Sequence, residues 1–396
     1  MDNTAPRPLT VALAGLAALA VAMGIGRFAF TPILPMMQDD LGLTVAQGGW
    51  LASANYAGYL AGALSALWLR AEAVSMIRGS LVLTAAVTAA MGLADHFALW
   101  LVLRAAAGVG SAWVLVFVSA WCLDRLAAQG RPGLGSILFT GVGAGMALAG
   151  LVCVALMRAG AASAQAWFVL GGLALVLTIA TWPVFRKGNP ARGPAANKAA
   201  PTGRFRWDRD AVLIVVCYGV FGFGYIIPAT FVPAMAKQIV SDPAVFGWSW
   251  PLFGAAAVLS TLGAGGLVGT LGNRGVWVVS ALVMAVGVAA PAVSTGMAAI
   301  MVSAVCVGAT FVVVTLVGMQ EARRVGGAHA KTLMAAMTAS FAAGQIAGPL
   351  AVSALAVAGG SVNVVLLISA ALLVASAAAV AWSMIVKRQS VETVPE

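Results

Sequence analysis

A short glycine-rich pattern occurs twice in the chain and divides it into two halves. The motif G-I-G-R at 24–27 is followed by Pro35, and the motif G-F-G-Y at 222–225 is followed by Pro233. Each equivalent pair is 198 residues apart, which is half of the 396-residue length. The sequence therefore predicts two copies of one structural unit, with an arginine in the first copy where the second has a tyrosine.

The chain is strongly apolar. Hydrophobic residues make up 62%, charged residues only 9%, and the mean hydropathy is +0.99, which lies outside the range of soluble globular domains. Runs of about 20 apolar residues, the length that spans the hydrocarbon core of a bilayer, recur along the chain. We count twelve such runs, and therefore predict an all-α polytopic membrane protein with twelve transmembrane helices in two pseudo-symmetric six-helix bundles.

The positive charge of the chain indicates how it lies in the membrane. A net charge of +10 would suit a nucleic-acid partner if the basic residues shared one solvated face. They lie instead in short connectors between apolar runs, and nearly all of them are in alternate connectors. We therefore predict no nucleic-acid partner, and a multi-pass protein of the cell membrane, in bacteria the inner membrane, with both termini in the cytoplasm.

One connector is much longer than the others. Residues 186–210 lie near the midpoint and are rich in glycine, proline, alanine and basic residues, a composition typical of linkers. This pattern predicts an N-terminal six-helix bundle over 1–185, a cytoplasmic linker over 186–210 and a C-terminal six-helix bundle over 211–396. The two halves already form a complete unit, so we expect a monomer.

The ionisable residues inside the apolar runs are cations. Arg27 lies in the first run and Arg104 in the fourth, whereas every carboxylate and both histidines fall at run ends or in connectors. An arginine within the hydrocarbon costs roughly 2.5 to 3.5 kcal/mol, which indicates a functional site. Two guanidinium groups in an acid-free cavity would bind an anion through charge-assisted hydrogen bonds. We predict a small organic anion, a carboxylate, as substrate. Arg104 has an equally good structural interpretation, in which it binds backbone carbonyls of the first span.

Neutral polar residues at similar depth complete the predicted site. Asn55 and Tyr59 share a helix face because they are four residues apart. Tyr225 replaces Arg27 in the second repeat, and Gln345 lies near the middle of the eleventh span. Each is more often a packing residue than a ligand, and only convergence on one cavity would give these residues weight. The predicted substrate-binding set is Arg27, Arg104, Asn55, Tyr59, Tyr225 and Gln345.

Several glycine motifs resemble those of the major facilitator superfamily. The sequence R-A-A-A-G-V-G at 104–110 is similar to the R-x-x-x-G-x-G pattern of that family, and G-V-G-A-G at 141–145 is similar to its glycine-rich motif. G-I-G-R-F at 24–28 and G-Q-I-A-G-P at 344–349 together resemble the YbfB/YjiJ-type subfamily. Small residues at these spacings let helices approach closely. The predicted helix-packing residues are Gly24, Gly26, Gly108, Gly110, Gly141, Gly145, Gly344, Gly348 and Pro349.

The resemblance implies a secondary transporter that works by alternating access around a midmembrane site. No G-x-x-x-x-G-K-[ST] phosphate loop occurs, and the spans offer neither an activated nucleophile nor a group of metal ligands. We therefore predict no enzyme activity, cofactor or metal.

The direction of transport is less constrained by the sequence. Import of the anion is the preferred interpretation, and efflux of amphiphilic compounds or drugs is the alternative. A coupling proton is left open. The family's loop motif between spans 2 and 3 is degraded, and its second-half copy keeps Arg274 without an acid–base pair.

Overall fold

The chain folds entirely into helices joined by short turns, in the part that the structure describes. This is a computed structural model that describes residues 6–66, 68–69, 71–186, 205, 207–240 and 242–392. Ten helices within these ranges are long and apolar enough to cross a membrane. Helix Val45–Ser65, and the division of Ser249–Val293 at Gly272, add two further spans.

The described helices make twelve spans. They are α1 (Pro8–Asp40), α2 (Val45–Ser65), α3 (Ala73–Ala90), α4 (Phe97–Ala128), α5 (Gly135–Arg158), α6 (Ser163–Thr181), α7 (Arg209–Ile239), α8 (249–271), α9 (273–293), α10 (Met297–Gly326), α11 (Ala330–Val357) and α12 (Val362–Glu392). Helix α2 is 21 residues long, enough to cross a bilayer, although Gln47, Asn55 and two tyrosines lower its hydropathy. The α8–α9 segment, Ser249–Val293, is 45 residues long, about twice the length that one span needs. The prediction of an all-α protein with twelve transmembrane helices is confirmed.

Local sequence signals set several helix ends. Gly272 separates α8 from α9 with φ 67° and ψ 170°. Residues other than glycine rarely adopt this backbone conformation. Thr44 precedes α2 as the N-cap of a capping box. Its hydroxyl oxygen accepts a hydrogen bond from the backbone N–H of Gln47, and its own backbone N–H donates to the side-chain oxygen of Gln47. Asp208 caps α7 by accepting from the backbone N–H of Ala211. Within each half the connections are short, so neighbouring helices run antiparallel.

Several of the predicted packing glycines lie where helix backbones nearly touch. A Cβ atom added at Gly24 of α1 would lie 2.3 Å from the Cα atom of Gly145 in α5, and one added at Gly141 would lie 2.1 Å from the carbonyl oxygen of Leu16. In the second half, a Cβ atom at Gly344 of α11 would lie 2.2 Å from a carbonyl oxygen of α7. Real Cβ atoms do not approach so closely, so these crossings require the absence of a side chain.

The predicted linker lies largely outside the described residues, since 187–204 and 206 are among those that are not described. The division at 1–185, 186–210 and 211–396 therefore stays a prediction. Helices α1–α6 are called the first half below, and α7–α12 the second half.

Candidate functional site

Helix α1 changes its winding just before the predicted binding arginine. Residues Pro8–Leu19 are α-helical, Ala20–Arg27 are π-helical, and the α-helix resumes at Phe30. π-helical segments are rare and occur mostly at functional sites. Gly26 allows this segment to lie against α3, since a Cβ atom added there would be 2.3 Å from Cγ2 of Thr84. The last residue of the π-helical segment is Arg27 itself.

Arg104 of α4 binds the carbonyl groups that the break in α1 leaves free. Its Nη2 donates to the carbonyl oxygen of Arg27 at 3.1 Å, and its Nη1 to that of Gly26 at 3.4 Å. Ser111 of the same helix donates to the carbonyl oxygen of Ala22 at 2.7 Å. A cation at the C-terminal end of a helical segment offsets the partial negative charge of its unpaired carbonyls. This is the structural alternative that the sequence left open for Arg104, and its substrate role stays a prediction.

Asn55 connects α2 to α4 beside this arginine. Its Nδ2 donates to the carbonyl oxygen of Arg104 at 2.9 Å, while its Oδ1 is buried without a partner. The two helices touch at Gly108, where an added Cβ atom would lie 2.0 Å from the Asn55 carbonyl oxygen. Asn55 thus helps to position α2, which carries Tyr56 and Tyr59. Its own contact with a substrate stays a prediction.

Arg27 is buried among aromatic rings. Its side chain is 2% exposed, and its guanidinium carbon lies 3.9 Å from the ring centroid of Tyr59, 5.2 Å from that of Tyr56 and 5.3 Å from that of Phe28. These are cation–π distances. Its Nη2 donates to Oε1 of Gln345 at 2.6 Å, but its Nε is buried without a partner. Among the described ion pairs, none joins a carboxylate to Arg27.

Gln345 links Arg27 to the second half of the protein. The side chain is fully buried, and its Nε2 donates to the hydroxyl of Tyr225. The ring of Tyr225 stacks with those of Phe311 and Phe341, at centroid distances of 5.5 and 5.7 Å and interplanar angles of 4° and 6°. The stack therefore holds the tyrosine hydroxyl in place, and the hydroxyl holds the glutamine amide.

Four of the six predicted binding residues therefore form one connected cluster. They are Arg27, Tyr59, Tyr225 and Gln345, and they come from α1, α2, α7 and α11. The remaining two, Arg104 and Asn55, lie next to the cluster and bind backbone groups. Sequence reasoning missed Phe311 and Phe341, because single aromatic residues in apolar helices carry no distinguishing signal. Whether the cluster binds a substrate stays a prediction.

The two halves are joined at one end of the bundle, which we call the closed end and which carries the turn between α1 and α2. Among the described residues, side-chain hydrogen bonds between the halves connect Thr31 to Ala229, Asp39 and Pro35 to Lys237, Ser53 to Ile346, Ala46 to Ser353, Tyr56 to Thr230 and Arg27 to Gln345. Two of these contacts, Thr31 with Ala229 and Asp39 with Lys237, join residues 198 apart, which is the repeat spacing. Equivalent residues of two repeats can touch only near the axis that relates them.

A charged cluster lies at the opposite end, in the second half. Arg274 donates through Nε to Glu321 at 2.5 Å, through Nη2 to Asp210 at 2.6 Å and through Nη1 to Ser383 at 2.7 Å. Arg324 binds both oxygens of Glu321, which is 1% exposed. The second-half loop motif at Arg274 contains no acid of its own. Its acidic partners are Asp210 of α7 and Glu321 of α10.

Comparisons with known proteins agree with this architecture. The sequence model of the family described as uncharacterised MFS-type transporter YbfB, where MFS denotes the major facilitator superfamily, matches residues 19–381. A bacterial homologue of the human lysosomal transporter Spinster, in an inward-facing and occupied conformation, has a TM-score of 0.73 at 15% identity, with 96% of this chain and 98% of that chain covered. The nucleoside transporter NupG has a TM-score of 0.66 at 15% identity, with 94% and 98% covered. No curated protein matches the sequence. At this identity the solved structures establish a shared fold.

Proposed function

Because the chain belongs to the major facilitator superfamily, in the family of the uncharacterised MFS-type transporter YbfB, we propose that it moves a small organic anion, a carboxylate, across the membrane by alternating access. The family makes it a multi-pass transporter of a small molecule. The nature of that molecule, and the part that Arg27 takes in binding it, are the proposal.

The observation that carries the proposal is the unbalanced charge of Arg27. The guanidinium is buried, its Nε has no hydrogen-bond partner among the described residues, and its Nη2 donates to the neutral amide of Gln345. A buried charge without a counter-charge is costly. A carboxylate could bind the Nε and Nη2 groups together, with two parallel charge-assisted hydrogen bonds. An anionic substrate would therefore supply the counter-charge and the acceptor for Nε.

The site is also well placed to couple binding to movement. Arg27 belongs to the first half and Gln345 to the second, so a ligand between them would contact both halves. Transporters of this fold rock their halves around a site near the midplane. With both termini in the cytoplasm, as the basic connectors favour, the closed end would face outward and the arrangement would be the inward-facing state. We keep import into a bacterial cell, across the inner membrane, as the proposed direction.

Efflux of amphiphilic compounds is the second candidate. The observation that favours it is the aromatic wall around Arg27, formed by Phe28, Tyr56 and Tyr59. Ligand sites for apolar molecules are lined in this way. In that case, neutral amphiphiles would bind as well as anions, and binding would survive the loss of Arg27.

A thermal-shift assay on the purified full-length protein tests the proposal. Acetate, benzoate, lactate, succinate and citrate would be compared, since a ligand that binds the folded state raises its melting temperature, here by a few degrees. We expect at least one carboxylate to stabilise the wild type and to lose this effect in Arg27→Ala. Arg323→Ala, which removes an exposed arginine, is the matched control. Equal stabilisation of Arg27→Ala, or no response of the wild type to any carboxylate, would overturn the proposal.

A further inference from the structure

The candidate site offers one available positive charge, although it contains two arginines. Both Nη groups of Arg104 are bound to carbonyl oxygens of α1, at 3.1 and 3.4 Å. Those carbonyls end the π-helical segment Ala20–Arg27, and the unpaired C-terminal carbonyls of a helix carry about half a negative charge. The charge of Arg104 is thus largely offset within the protein. Arg27 has no such compensation.

Gln345 occupies the position on Arg27 that a carboxylate oxygen would take. Its Oε1 lies 2.6 Å from Nη2, a distance normally seen for charge-assisted hydrogen bonds. Ionic acceptors bind a guanidinium about twice as strongly as neutral ones. A carboxylate would therefore replace the amide oxygen and satisfy the unpaired Nε at the same time. The freed amide would still be held near the ligand by Tyr225.

The walls of the site are aromatic. Three rings lie within 5.3 Å of the Arg27 guanidinium carbon, and the stack formed by Tyr225, Phe311 and Phe341 lies beyond Gln345. Aromatic rings pair favourably with other flat rings at centroid distances of about 4.5 to 7 Å. A second carboxylate on the ligand would meet these rings, and burying it there without a partner is unfavourable.

From these contacts we infer that the substrate is an aromatic monocarboxylate, whose single carboxylate displaces the Gln345 side-chain oxygen from Arg27. This inference rests on the proposed function and narrows its substrate class. The carboxylate forms two hydrogen bonds with Arg27, and the flat apolar body lies against the aromatic walls. No covalent step is involved.

Binding of three matched compounds to the purified wild-type protein tests the inference directly. Benzoate carries one charge on a ring, phthalate carries two, and benzamide is the neutral analogue of benzoate. We expect benzoate to bind at least about tenfold more tightly than either of the others in isothermal titration calorimetry, because only benzoate matches one free cation. We also expect benzoate to bind more tightly than acetate. Phthalate, benzamide or acetate binding as tightly as benzoate would overturn the inference.

The variant Gln345→Glu tests the displacement. It places a carboxylate permanently on Arg27, so we expect benzoate affinity to fall at least about tenfold while the protein stays folded. Gln238→Glu makes the same chemical change on an exposed residue and should bind benzoate like the wild type. Unchanged benzoate affinity in a folded Gln345→Glu protein would overturn the displacement. If Gln345→Glu does not fold, the comparison of benzoate, phthalate, benzamide and acetate on the wild-type protein still tests the substrate class.

The two proposals fail in distinguishable ways. Arg27-dependent binding of succinate or citrate, without preference for benzoate, would refute the aromatic monocarboxylate and leave the anion transporter intact. Absence of any Arg27-dependent carboxylate binding would refute both.

Discussion

Asp39 and Lys237 form an ion pair across the closed end, and they occupy equivalent positions of the two repeats, 198 residues apart. Lys237 also donates to the carbonyl oxygen of Pro35 at 2.9 Å. Deeper in the bundle, Thr31 donates to the carbonyl of its own equivalent, Ala229, at 2.7 Å. The two halves are therefore held together along the axis that relates them.

Loss of this ion pair is expected to favour opening of the closed end. The Asp39 side chain is 68% exposed, and exposed ion pairs contribute only about 0.2 to 1 kcal/mol. The ion pair alone should therefore change the fraction of molecules open at this end by no more than about fivefold, and Lys237→Ala, which also loses the bond to Pro35, should exceed that change. A cysteine at the buried position of Ala229, in a background without the native cysteines, would report this as faster labelling by an impermeant maleimide.

The charge-swapped double variant, Asp39→Lys with Lys237→Asp, is the control for this prediction. It restores the pair with reversed polarity but not the hydrogen bond to Pro35, and should label more slowly than Lys237→Ala. Labelling of Lys237→Ala at the parental rate would show that the pair does not hold the closed end.

The two buried arginines are expected to differ in their effect on stability. Arg104→Leu leaves two carbonyls of α1 without charged donors, each bond being worth about 1.5 to 3 kcal/mol, so we expect a loss of roughly 3 kcal/mol or more in the free energy of unfolding. Arg27→Leu removes an unbalanced charge and should cost less. Unfolding in denaturant, followed by tryptophan fluorescence, compares them. The opposite order would mean that Arg27 serves chiefly to hold the fold.

Gly108→Ala should disturb the site without touching a charged residue. The added methyl group would lie 2.0 Å from the Asn55 carbonyl oxygen and 2.7 Å from the Tyr59 amide nitrogen, so α2 must move and carry Tyr59 away from Arg27. We expect a loss of about 1 to 3 kcal/mol in stability, with weakened benzoate binding.

Gly172→Ala is the matched control for this substitution. An added methyl group at Gly172 of α6 meets nothing within 4 Å, so helix propensity should make the change neutral or stabilising by up to about 1 kcal/mol. Equal behaviour of the two alanine variants, in melting temperature and in ligand binding, would contradict the close α2–α4 crossing.

Arg274→Met should be strongly destabilising. It leaves Glu321, which is 1% exposed, with Arg324 as its described cationic partner, and it removes the cation bound to Asp210. Breaking a buried pair by removing one partner typically costs about 3 to 5 kcal/mol. The measurement is the denaturant midpoint, with exposed Arg323→Ala expected within about 0.5 kcal/mol of the wild type. A wild-type midpoint for Arg274→Met would contradict the role of this cluster in stability.

Much of the architecture could be predicted from local patterns. The apolar runs have the length that a bilayer imposes, and the paired G-x-G motifs at 24–26 and 222–224 mark the repeat. Arg27 could be singled out because a charge in an apolar run is rare. Its partner could not be identified in this way, since Gln345 lies 318 residues further along the chain. Local sequence patterns do not encode pairings over such distances.

Winding and burial at helix ends could not be predicted either. The π-helical segment Ala20–Arg27 depends on hydrogen-bond register, which apolar composition does not specify. Glu321 lies near the end of an apolar run, where carboxylates normally reach water. It is buried because Arg274, from another helix, binds it directly. Contacts with residues distant in sequence thus accompany both features, the π-helical winding in α1 and the burial of Glu321.

Arg27 and Tyr225 occupy the same position in the two repeats, 198 residues apart, yet they differ completely in chemistry. A duplicated framework therefore places a guanidinium on one side of its axis and an uncharged phenol on the other. For the proposed aromatic carboxylate, this asymmetry would determine which end of the molecule contacts which half of the protein. A compound with one charged end would enter in a single orientation, and positional isomers that move the charged group along the ring would be told apart.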